Sequence, residues 1–79
     1  MSDMQYTKLS SALIQDKKSL VISECSKGGY TLAQQVVFVE EDGKKRNLYL
    51  SGAVHINSID GLRNLRDAIN VAIEKIENN

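Results

Sequence analysis

The chain contains no proline, no tryptophan, one cysteine and one histidine. Without proline, only glycine is left to punctuate it. A lone Cys25 cannot form an internal disulfide, and one cysteine with one histidine falls short of a tetrahedral zinc site. No metal and no cofactor is expected. Charge of either sign is also lacking in net terms: ten basic and ten acidic residues cancel. This argues against a polyanion binder working by bulk charge, although a local basic patch can still exist. No apolar run approaches membrane-spanning length. The first residues, Met1–Gln5, carry neither a basic nor an apolar leader region, so the expected setting is reducing, intracellular and cytoplasmic.

Seventy-nine residues amount to one domain. A core this small is marginal by itself and is usually reinforced by disulfides, a metal or a second subunit. With the first two excluded, a homodimer is expected.

Catalytic constellations are lacking as well. His55 has no nucleophile motif beside it, and a lone histidine near a strand end is ordinarily a hydrogen-bonded side chain. Cys25 reads as a small apolar strand residue, although a thiolate pair with His55 is conceivable on chemical grounds. Lys27-Gly28-Gly29 lacks the spacing and following helix of a phosphate loop and reads as a turn. Glu40, Glu41 and Asp42 are too few for a calcium loop. The chain is not expected to be an enzyme.

What is present is clear patterning. From Asn57 to Glu77, Ile59, Leu62, Leu65, Ile69, Ala72, Ile73 and Ile76 recur at threes and fours, which places them on one helical stripe. Asn57 is the expected cap, with Asp60 three residues on. Upstream, Ser19–Cys25, Tyr30–Glu40 and Lys45–Ile56 read as strands, the last with Gly52 marking a bulge or a close backbone approach. Asp42-Gly43 is the strongest hairpin signal. The segment before Ser19 is ambiguous. Tyr6, Leu9 and Leu13 suit a short helix, while Ala12–Gln15 suits a strand paired with Ser19–Cys25. We expect a strand ending near Gln15 behind a flexible or helical arm. The fold class is therefore α+β: residues 1–10 an arm, 11–56 an antiparallel sheet of three to four strands, and 57–77 a helix packed on one face.

If Asp42 and Gly43 form a two-residue loop, Glu40 faces Lys45, Phe38 faces Asn47, Val36 faces Tyr49 and Tyr30 faces His55. One face then holds Tyr30, Phe38, Lys45, Tyr49 and His55, with Lys44 and Arg46 at the hairpin end. Aromatics on an open sheet stack single-stranded bases while nearby cations meet phosphates. The competing reading makes this face a second core layer under the arm or a partner subunit. On the helix, the side bearing Ala68, Val71 and Ala72 is the candidate dimer contact, with an edge strand as the alternative.

The order of elements carries a resemblance. Leu20-Val21-Ile22-Ser23, Lys27-Gly28-Gly29, the Asp42-Gly43-Lys44-Lys45 hairpin, and Val54-His55-Ile56-Asn57 leading into Leu62, Leu65 and Ile69 resemble the single-stranded-DNA-binding fold of the positive-cofactor-four coactivators, related to the whirly fold. The resemblance implies a curved antiparallel sheet that binds single strands and a C-terminal helix that dimerises. Ser51-Gly52 stands where that family usually has a Lys/Arg-Gly pair. Two functions follow as expectations: a dimeric single-stranded nucleic-acid-binding protein, or a noncatalytic adaptor or inhibitor that binds a larger protein.

Overall fold

The computed structural model describes residues 4–78. It is an α+β chain in which an antiparallel sheet precedes one C-terminal helix. The strands are β1 (Tyr6–Gln15), β2 (Lys18–Cys25), β3 (Tyr30–Val39), β4 (Lys45–Tyr49) and β5 (Val54–Ile56), followed by α1 (Ile59–Glu77). The strands run in the order β1-β2-β3-β4, and β5 pairs with β3 beyond the end of β4.

The expected arm is corrected. Tyr6 to Ser10 belong to β1, where Tyr6 pairs with Cys25 and Lys8 with Ser23. Pairing with β2 outweighs the helical spacing of Tyr6, Leu9 and Leu13, since a short isolated helix is marginal in water. The part of the expected arm at residues 1–3 lies outside the described residues. Asp16 and Lys17 close the turn into β2, with Lys17 at φ 63°.

The hairpin register also differs from expectation. Val39 pairs with Lys45, Phe38 with Arg46, Val37 with Asn47 and Gln35 with Tyr49. The Gly43 N–H donates to the Glu40 carbonyl at 2.9 Å and the Glu40 N–H donates to the Lys44 carbonyl at 2.8 Å. Gly43 has φ 86°. The loop therefore has three residues, Glu41-Asp42-Gly43, a turn closed by a left-handed glycine. The Lys44 N–H donates to Asp42 Oδ1 at 3.0 Å, which holds the loop. One extra loop residue slips the whole ladder by one and turns every β4 side chain to the opposite face.

The third expected strand is broken in two. The Leu50 N–H still donates to the Gln34 carbonyl, and the ladder resumes with Leu32 opposite Val54 and Tyr30 opposite Ile56. Between them Gly52 takes φ 91° and two residues loop out. Because the offset is two residues, β5 keeps the facing of β4.

Most of the large apolar side chains of β2 to β5 consequently gather on one side. Cross-strand pairing puts Leu20, Ile22, Leu32, Val36 and Phe38 on the same face as Leu48, Val54 and Ile56. Among the described residues three side chains are buried, Leu32 on this face and Val21 and Cys25 on the opposite one.

The helix begins later than expected. Ser58, not Asn57, is its cap, with extended backbone and no side-chain hydrogen bond. Asp60 does not reach back to the cap; it pairs with Arg63 at 3.3 Å. Gly61 abuts Ile56, so closely that a Cβ there would lie 2.5 Å from Ile56 Cγ2. Leu62 and Leu65 are half-buried, and every residue from Arg66 to Asn78 is exposed. The expected packing of α1 across the sheet is thus limited to its first turns beside β5. The molecule is a plate, 46 × 37 × 18 Å, with a radius of gyration of 15.3 Å. A compact domain of this length would have a radius near ~11.6 Å.

Candidate nucleic-acid interface

The face opposite the apolar one is mixed: small and polar residues predominate, with Leu13, Val21, Val37 and Val39 among them. The ladders place Tyr6, Lys8, Ser11 and Leu13 of β1 beside Ser19, Val21, Ser23 and Cys25 of β2. Thr31, Ala33, Gln35 and Val37 of β3 continue it, and Lys45, Asn47, Tyr49 and His55 complete it. Side chains alternate along β2, β3 and β4, and the register shift around Leu9 is what brings Lys8 and Ser11 of β1 to the same face. It contains no carboxylate: Glu24, the one acid within the five strands, shares its face with Tyr30.

A cleft of about 390 Å³ opens on this side, lined by Tyr6, Ser23, Thr31, Ala33, Tyr49, Leu50 and Ala53. Tyr6 on one outer strand and Tyr49 on another are 57% and 59% exposed. Between them the floor is made of small side chains. Two accessible rings over a small-residue floor offer flat π surfaces that a base can meet without displacing packed side chains. Lys8 shares the Ser23–Thr31–His55 row, and Lys45 stands toward the hairpin. Among the described residues neither lysine is in an ion pair.

The structure divides the residues singled out from the sequence. Lys45, Tyr49 and His55 share the polar face; Tyr30, Phe38 and Arg46 lie on the apolar one. The one-residue slip of the hairpin is the cause. Arg46 Nε also lies 3.0 Å from Glu40 Oε1, which neutralises it locally. Lys44 is held in the loop. His55 lies against the turn before β3: a Cβ on Gly29 would come 2.8 Å from His55 Nε2. That close approach is a packing role. Cys25 is buried with its Sγ 2.9 Å from Thr31 Oγ1, so the hydroxyl of Thr31, across the strand pair, is its partner.

Tyr6 and Lys8 were missed by the sequence reading. The signal was there: Tyr, Thr, Leu and Ile between residues 6 and 14 are strand formers, and a turn and a strand follow directly. On the helix, Ala68 and Ala72 flank the apolar stripe, whereas Val71 lies on the far side beside Glu74 and Lys75.

Among the described residues no group of histidine, cysteine and carboxylates is arranged to hold a metal ion. No described helix is long and apolar enough to cross a membrane. No protein-family model, curated protein or solved structure matches the chain.

Proposed function

We propose that this protein is a small, noncatalytic homodimer that binds single-stranded nucleic acid on the polar face of its sheet. The observation that carries the reading is the composition of that face: two half-exposed tyrosines, Tyr6 and Tyr49, with Lys8 and Lys45, while the one strand carboxylate, Glu24, lies on the other face. Bases stack on the tyrosines while the lysines meet phosphates, a mode that tolerates any base because every base has a π face. Zero net charge limits the electrostatic share. The affinity then depends on stacking more than is usual for such proteins.

The test is a titration of a labelled, unstructured oligothymidine by fluorescence anisotropy. Tyr49→Ala should weaken binding by about 1–3 kcal/mol with little dependence on base identity. With two phosphate contacts, log K should fall against log salt with a slope near ~−1.4. A folded wild-type protein that shows no binding at low salt retires this reading. The protein-interaction alternative would then stand, favoured by the exposed apolar residues Phe38, Leu48 and Val54 on the other face.

A further inference from the structure

Two apolar surfaces of this chain are without cover. One is the sheet face carrying Phe38, Leu48 and Val54, all exposed; the other is the helical stripe, where Ile69, Ile73 and Ile76 are exposed. Within one chain they do not meet. Asn57 and Ser58 are the whole connection from β5, Gly61 is wedged against Ile56, and the helix is bare from Arg66 onward.

We infer that they meet between two copies, the helix of each chain lying across the apolar sheet face of its partner. The area requires a cover of this size. The chain exposes 6439 Å², whereas a compact protein of 8.8 kDa exposes about 4,800 Å². The excess is roughly 1,600 Å² per chain, or about 3,300 Å² for a symmetric pair, which falls among obligate homodimers. A helix-to-helix contact alone would leave the sheet face wet. Reciprocal helix-on-sheet packing covers both surfaces at once and is isologous, so it closes at two.

The dimensions agree. The uncovered helical residues 66–77 span about 18 Å and ten strand residues about 33 Å, so the free part of the helix fits within the length of β3. The edges offer a poorer contact. β1 shifts register around Leu9 and Ile14, and β4 and β5 are interrupted at Gly52. Such irregularities discourage edge-to-edge pairing.

This arrangement rests on the homodimer of the proposed function and uses the face opposite the nucleic-acid surface. The test mixes isotope-labelled and unlabelled wild-type chains by refolding them together and records isotope-filtered NOE spectra, with mass from light scattering. The expected result is a dimer with intermolecular contacts from the methyls of Ile69, Ile73 and Ile76 to Phe38, Leu48 or Val54. Contacts confined to helix against helix, or helix-to-sheet contacts within one chain only, overturn the arrangement and leave the polar-face reading intact. A monomer at every concentration overturns both the arrangement and the dimer. Ile69→Asp should weaken self-association by roughly 100-fold, because a carboxylate would be buried unpaired. The strand signal in circular dichroism should persist, since Ile69 is half exposed in the single chain. Unchanged association of Ile69→Asp also overturns the arrangement.

Discussion

Gly61→Ala is the most searching substitution because two effects of known size oppose each other. Alanine in a helix is favoured over glycine by about 1 kcal/mol, so propensity alone makes the change stabilising. The structure reverses that sign. A Cβ at residue 61 would lie 2.5 Å from Ile56 Cγ2, and Cγ2 is fixed to a branched carbon that cannot swing away as a long side chain does. Forcing a methyl into such a contact costs about 1–3 kcal/mol. The net expectation is a loss of up to about 2 kcal/mol, read as a lower urea midpoint by circular dichroism at fixed protein concentration. The control is Ile56→Leu, which removes Cγ2 and keeps the volume. In that background Gly61→Ala should stabilise by up to about 1 kcal/mol, giving a coupling of roughly 1–3 kcal/mol between the two positions. If Gly61→Ala stabilises the wild-type chain as much as it stabilises Ile56→Leu, the first turn of α1 is not seated on Ile56 and the reasoning fails.

Gly29→Ala should be more damaging than a surface change, since φ 82° disfavours alanine and the new Cβ would meet both His55 Nε2 and the Ile56 carbonyl at 2.8 Å; an unaltered melting temperature would refute this. Lys17→Asn should stabilise by roughly 0.5–1 kcal/mol, measured by urea unfolding, because Lys17 holds φ 63° and asparagine tolerates the left-handed region better. Phe38→Ala should leave oligonucleotide binding within about twofold of wild type while Tyr49→Ala does not, because corrected pairing puts the two rings on opposite faces; equal losses would restore the two-residue hairpin. Chelator treatment should leave thermal unfolding unchanged, and a large drop in the midpoint would reveal a metal contribution.

How much of the fold was legible follows from how locally each feature is encoded. The helix could be read because Leu62, Leu65, Ile69, Ile73 and Ile76 repeat within a few turns. The strand alternation of Leu48 against Asn47 and Tyr49 is likewise carried by neighbours. Even the break at Gly52 left its mark in one residue. Register was not readable in this way. Asp42-Gly43 suits both a two-residue and a three-residue loop, and the choice rests on hydrogen bonds between Glu40, Gly43 and Lys44 that no propensity encodes. That single residue decided whether Tyr30 and Phe38 share a surface with Tyr49.

The candidate site was half legible for the same reason. Lys45, Tyr49 and His55 were marked by residue type, but Tyr6 and Lys8 acquire meaning only through pairing of β1 with β2. By itself the sequence determined the class of the elements from Ser19 onward and the apolar stripe of the helix, and it left the first eighteen residues open between helix and strand. Only the tertiary structure decided which side chains share a face and where the helix goes. Facing depends on a ladder closed between residues far apart in the chain, and the path of the helix depends on the contact of Gly61 with Ile56, two residues whose closeness comes from the bend after β5.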